Sequence, residues 1–259
     1  MNRRFVRKLH MHCQERLPWH RLPAHAEQFS EVESRSSRFA RFLAWAGSPW
    51  HGSAVLLVLL AASLGAASAA SFTEDFEKIP SGKVPESIQV LEGDFSIREI
   101  DGNHCLELAG DPIGGFGALV GPDAVQACDV TARIWAAPTG KRFPEFGIGA
   151  NGVGGAKVIL TPGVNAITIR LGENTIATAP FTWKASSWTR FRMQVWTHDG
   201  NWFVRGKAWN TGETEPTRWT IDAPLPKAAT AGRASVWGSD YSEQPIRFDD
   251  ISVKSVDGP

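Results

Sequence analysis

The chain has 259 residues and a formal net charge of zero, from 27 basic and 27 acidic side chains. Nine of the basic and four of the acidic residues fall within residues 1–50, which leaves 18 basic against 23 acidic residues for the remainder. An acidic body argues against a general nucleic-acid binder, which needs a dominant positive field, and with only His104 and His198 beyond residue 51 it is poor in histidine bases and histidine metal ligands.

Residues 1–52 are rich in Arg and His, show no sustained hydrophobic period and are too long for the basic start of an export signal. They read either as an unstructured extension or as the product of a start codon placed too early. Residues 53–70, SAVLLVLLAASLGAASAA, are uncharged; a Leu/Val half gives way to small residues ending in Ala67-Ser68-Ala69-Ala70. That is the pattern of a signal peptide cleaved near Ala69 or Ala70. A membrane anchor fits less well, because a span wants about 20 strongly apolar residues. The expected product is secreted or periplasmic, without a stable membrane span, and its fold occupies residues 71–259.

Beyond Ser71 the chain shows short alternating runs separated by Gly, Pro, Asn and Asp, and no helical period longer than a turn. Strands are expected at 72–77, 95–100, 105–109, 116–120, 129–136, 146–150, 157–160, 165–171 and 175–179. Gly147 and Gly149 alternate within one of them, a sign of close approach by another backbone or a ligand. The clearest pair is Ser187–Asn210, two strands joined at His198-Asp199-Gly200-Asn201 with Asp-Gly as the turn signal. Phe191, Met193 and Val195 point one way there, and Arg190, Arg192, Gln194 and Trp196 the other. Trp202, Val204 and Ala208 alternate with Phe203, Arg205, Lys207 and Trp209 in the return strand. Further strands are expected at 219–222, 233–237 and 245–253. About a dozen short strands at regular spacing predict an all-β fold, a two-layer antiparallel β-sandwich of jelly-roll type. The rim loops are expected near 109–115, 121–127, 137–145, 210–218 and 223–232.

The body opens with Asp75-Phe76-Glu77 and closes with Phe248-Asp249-Asp250-Ile251-Ser252-Val253; Ser187-Trp188-Thr189 leads into the strand–turn–strand unit, and Gly206-Lys207-Ala208-Trp209 is followed by Glu215-Pro216 and Trp219. In these features residues 72–254 resemble the secreted jelly rolls of the concanavalin A-like lectin/glucanase class, laminin-G-like domains included. The resemblance implies a sandwich whose first and last strands pair, with sugar binding as the commonest role. The glucanase branch carries a Glu-x-Asp-x-x-Glu strand that this chain lacks. Alginate-lyase-type relatives use a Tyr/His pair, for which only Tyr241, His104 and His198 are on offer.

Three candidate sites follow. If Arg133, Trp135, Arg233 and Trp237 share a sheet with the hairpin, one face gathers Arg133, Arg190, Arg192, Arg205 and Lys207 with Gln194, Trp135, Trp196, Trp209 and Trp237 among them. Arginine forks match carboxylate and sulfate groups, and Trp stacks on sugar rings, so the face suits a polysaccharide or glycoconjugate. The competing reading is a solvated face whose cations pair with acids on neighbouring strands. Secondly, the alternation slips at Asp249-Asp250, which predicts a bulge. Those two carboxylates, beside Asp75 and Glu77 of the first strand, form a candidate structural calcium site, and similar sandwiches hold such an ion near their terminal strands. Thirdly, Glu107, Glu145, Asp240 and Glu243 are candidate catalytic acids by position alone, and no spacing sets two of them across a bond. The glycine string 151–155 lacks the Lys-Ser/Thr of a phosphate loop. Cys105 and Cys128 form an even pair in an exported body, and two readings stand open, a disulfide between them or two buried thiols. The leading function is a non-catalytic carbohydrate-binding module; the alternatives are a glycoside hydrolase or polysaccharide lyase on the same fold, and an adhesion domain that binds protein.

Overall fold

A computed structural model of the protein describes residues 71–110 and 114–256; the expected extension and signal segment lie outside the described residues. In chain order the strands are β1 (Ser71–Glu74), β2 (Ile88–Glu92), β3 (Phe95–Ile100), β4 (Asn103–Leu108), β5 (Phe116–Val125), β6 (Cys128–Ala136), β7 (Glu145–Gly149), β8 (Ala156–Thr161), β9 (Ala166–Leu171), β10 (Asn174–Pro180), β11 (Ser187–His198), β12 (Asn201–Asn210), β13 (Ile221–Pro224), β14 (Gly232–Ser239) and β15 (Ile246–Ser255). They form two antiparallel sheets. The first runs β13-β12-β11-β6-β15-β4-β3, with β1 also on β15; the second runs β10-β9-β8-β7-β14-β5-β2. The expected two-layer sandwich is present, and its first and last strands pair, Ser71 opposite Lys254 through Glu74 opposite Ile251.

The alternation along each strand explains the layering. From the first sheet Phe191, Met193, Val195, Val204, Ile134 and Phe248 are buried; from the second, Phe146, Ile148, Val158, Leu160, Ile167 and Val236. The two layers meet directly where Phe146 packs edge-on against Phe191, with ring centroids 5.8 Å apart. At Gly206 of β12 a Cβ would lie 2.7 Å from Cγ2 of Val158 in the opposite sheet, so the inward row of β12 admits no side chain there. The β11–β12 turn is as read from the sequence: His198 pairs with Asn201, and Asp199 and Gly200 both take positive φ (49° and 75°), the backbone of a two-residue hairpin whose twist suits the strands it joins. The predicted bulge is also there. The β15–β6 register shifts between Asp249 and Ser252, with Asp250 at φ 50°.

Several expectations need correction. The strand β2 was not foreseen, because four of its five residues are exposed and no alternation marks it. Residues 121–125, expected in a loop, continue β5 despite Gly121 and Pro122. Trp219 precedes β13. Of the two readings for the cysteines the disulfide is not formed: Cys105 and Cys128 are free, buried thiols. Leu106, next to Cys105, lies opposite Phe248, whereas Cys128 lies opposite Ser255. That stagger along β15 is on the order of 20 Å at the usual strand rise, far beyond bridging distance. Burial is the main cause that pushes both thiols up to about 12. Finally, Arg233 and Trp237 belong to β14 of the second sheet and do not join the Arg/Trp face of the first.

Candidate functional site

Register places Arg133, Trp135, Arg190, Arg192, Gln194, Trp196, Arg205, Lys207 and Trp209 together on the outer face of the first sheet: Arg190 is flanked by Trp209 and Arg133, Arg192 by Lys207, and Gln194 by Arg205. Arg133, Arg190, Arg192 and Lys207 pair with carboxylates, and Arg205 bonds Gln194. Arg192 grips Asp129 through Nε and Nη2, at 3.0 and 2.7 Å from Oδ2, and reaches Glu215 Oε1 at 2.9 Å. These bonds, above all those to Asp129, hold its guanidinium protonated more firmly than usual. Gln194 donates to Asp129 and accepts from Arg205. Arg133 reaches Asp249 at 2.6 Å and lies 4.6 Å from the Trp188 ring. Arg247 pairs with Glu107 at 2.8 Å and lies 4.3 Å from the Trp135 ring. The segment between β12 and β13 then folds over the middle of the face. Glu215 takes Lys207 Nζ at 2.7 Å, Pro216 offers it a carbonyl at the same distance, and the Trp219 ring lies within 4.8 Å of both Lys207 Nζ and Arg205 Cζ. Lys207 is 5% exposed and Trp209 8%. Arg190 is exposed, and at the hairpin end the stacked pair Trp196–Phe203, with Arg205 beside it, is half-buried.

The acids expected at the terminal strands divide in two. Asp249 is fully buried, accepts from Arg133 and Asn103, and caps the backbone N–H of Asp250. Burial raises its pKa even so, because the bonds that favour the charged form do not fully offset the lost hydration. Glu77 accepts from the backbone N–H of His104, and Asp75 from that of Glu77. Asp75 and Asp250, with Glu74 and Lys78, line a shallow hollow beside β1. Among the described residues no group of three or more His, Cys, Asp and Glu converges to hold a metal ion. The catalytic candidates are likewise dispersed onto separate arginines: Glu107 on Arg98 and Arg247, Glu243 on Arg142, Glu145 on Arg170. Asp240 is buried. His104 binds the Ile79 carbonyl through Nδ1, and His198 lies exposed at the hairpin tip.

The second sheet presents a different outer surface. Gly117 of β5 and Gly147 of β7 stand in register on either side of Trp237, and Gly149 pairs with Ser235 one rung away. A Cβ at Gly117 would lie 2.7 Å from the benzo ring of Trp237, and one at Gly149 would lie 3.1 Å from its Nε1. The indole therefore lies across bare backbone, with Nε1 donating to Ser235 Oγ at 2.7 Å. Its outward face carries Lys157 Nζ, 3.3 Å from the ring centroid. Around it is a polar hollow of about 400 Å³, lined by Trp237, Lys157, Glu145, Arg170, Ser239 and Tyr241 among others. Arg170 holds Glu145 at 2.8 Å and Thr161 Oγ1 at 3.1 Å; Tyr241 is 53% exposed on the rim. Arg233 takes no part, since it is spent on the carbonyls of Gly121 and Ser87. Sequence reasoning singled out Trp237, Tyr241, Glu145 and the alternate glycines separately, but not Lys157 or Arg170, whose neighbours lie in other strands.

The class these two sheets define is the two-layer antiparallel β-sandwich of jelly-roll type. No family model and no curated protein matches the sequence. Among solved structures, a protein of unknown function with a galectin-like fold from Bacillus subtilis superposes with a TM-score of 0.50 at 10% identity, over 73% of this chain and 100% of that one. The cellulose-induced protein Cip1 gives 0.49 at 15% identity, over 73% of this chain and 99% of that one. The carbohydrate-binding module CBM66 from Bacillus subtilis gives 0.47 at 10% identity, over 65% and 96%. At such identities the shared property is the fold.

Proposed function

We propose that the protein is an exported carbohydrate-binding module whose ligand lies in the hollow on the outer face of the second sheet. The observation that carries this reading is the flat Trp237 indole, laid over glycine backbone and surrounded by side chains with hydrogen-bonding capacity, in an open cavity of about 400 Å³. A sugar ring needs an apolar plate for its C–H face and polar groups around its rim, and this surface supplies both. The Arg/Trp face of the first sheet supplies rings and cations too, but there Arg192 and Lys207 already have carboxylates and the 211–220 segment covers the middle of the face. Export through residues 53–70 accords with a glycan ligand outside the cell.

A glycan array probed with the full chain tests this. Binding is expected, with a loss of at least about tenfold in Trp237→Ala and little change in Trp196→Ala. The reverse pattern would move the site to the first sheet, and a blank array would refute the reading. A second reading, a polysaccharide lyase or hydrolase on the same scaffold, draws on Glu145 and Tyr241 lining the same hollow. Release of unsaturated uronates or new reducing ends on incubation with the bound glycan would establish it.

A further inference from the structure

Lys157 occupies an unusual position for a cation. Its Nζ lies 3.3 Å from the centroid of the Trp237 ring, on the face that a sugar would need. The opposite side of the indole is closed by Gly117. Among the described residues Lys157 forms no ion pair, whereas the other cation in the hollow, Arg170, is held by Glu145 at 2.8 Å. The second acid of the rim, Glu173, lies on an exposed turn. Burial lowers the affinity of Lys157 for its proton, and the charge of Glu173 offsets that only in part. Lysine, unlike arginine, has a flexible stem and a compact charge that can swing.

Resting on the groove reading above, we infer that the ligand is an acidic glycan, a uronate-containing polysaccharide, and that Lys157 is the group that receives its carboxylate. A sugar stacking on Trp237 must displace the ammonium. A neutral sugar takes away the contact between cation and ring and returns only an uncharged hydroxyl as acceptor. A uronate returns a charge-assisted hydrogen bond at the rim while its ring takes the vacated indole face. The same side chain thus disfavours neutral sugars and favours acidic ones, which gives selectivity from both directions.

The test is calorimetric titration of the full chain with oligouronates of the gluco, galacto and manno series, each beside the same oligomer with its carboxyl groups reduced to primary alcohols. At least one oligouronate is expected to bind more tightly than its reduced form by about tenfold or more, as for a hydrogen bond to a charged group, and to weaken with added salt. In Lys157→Gln the two affinities should converge, the acidic one falling and the neutral one rising. Lys157→Arg should keep the preference, which separates loss of the cation from loss of the fold. Equal binding of acidic and reduced oligomers by the unaltered chain would overturn the inference and leave the groove reading standing. So would a preference that survives in Lys157→Gln. Binding of neither series would overturn both.

Discussion

Asp249 shows how much one buried carboxylate can organise. It sits where β15 slips register, fully buried, and bonds Arg133 of β6, Asn103 of β4 and the N–H of Asp250, whose φ of 50° makes the bulge. The pair of acids reads in sequence as a metal candidate, but Asp249 serves as the inner anchor of three strands. Its replacement by Ala leaves Arg133 with one carboxylate, the outer Asp250 at 3.2 Å, and the neutral Asn103 Oδ1 at 2.6 Å. The expected loss is about 3 kcal/mol, the low end for breaking a buried pair, measured by urea denaturation. Asp250→Asn, at a half-exposed ion pair and with a residue that tolerates positive φ, should stay within about 0.5 kcal/mol. A cost as small for Asp249→Ala would mean that the bulge is held by backbone alone.

At the scale of elements, the 211–220 segment is fastened by charge. Glu215 ties it to Lys207 and Arg192, and hydrogen bonds from these, Lys207 first, hold its carboxyl below the ordinary value of 4.5. A depressed folded pKa stabilises the fastening above pH 4.5, and that contribution is lost as pH falls through the lowered value. Amide protection factors in 211–220, in which the intrinsic pH dependence of exchange is divided out, should therefore fall on acidification below pH 4.5, and Glu215→Gln should show low protection at neutral pH with no further acid step. Global stability is a poorer gauge, because Asp249, with its raised pKa, has the opposite sign: its contribution is greatest at low pH and declines as pH rises through the region above 3.8. An unchanged exchange rate in Glu215→Gln would show that Trp219 packing alone holds the segment. This element also explains why the first-sheet face was only half legible. The alternation of Arg190, Arg192, Gln194, Arg205 and Lys207 is local and could be read. One acid partner, Asp129, comes from β6, a distant part of the chain, and the other, Glu215, from the loop after β12, where no alternation says which way a side chain points.

On the whole-molecule scale the fold is assembled by long-range pairing. β14 inserts between β5 and β7, and β15 between β6 and β4, so both sheets close only when the last third of the chain arrives, a topology of high contact order. No covalent link assists: the two cysteines of the described body are free. The melting midpoint should be the same with and without reductant, and both thiols should react with a thiol reagent only after denaturation, since burial raises each to about 12. A midpoint lowered by reductant would show that a bridge forms in the native protein. Period-two alternation, the Asp-Gly turn and the phase slip at Asp249-Asp250 are written in neighbouring residues, so the sequence by itself determined the sandwich, the central hairpin with its register, and the bulge. Arg133-Ile134-Trp135 and the Arg233–Trp237 run look alike by the same local rules, yet they lie in opposite sheets. That assignment depends on which distant strands pair, and alternation says which face of a strand is outward, not which sheet the strand joins. Only the tertiary structure decided that Arg192 and Lys207 of the first sheet meet Asp129 and Glu215, while Lys157 is brought from β8 onto the ring of Trp237 in β14.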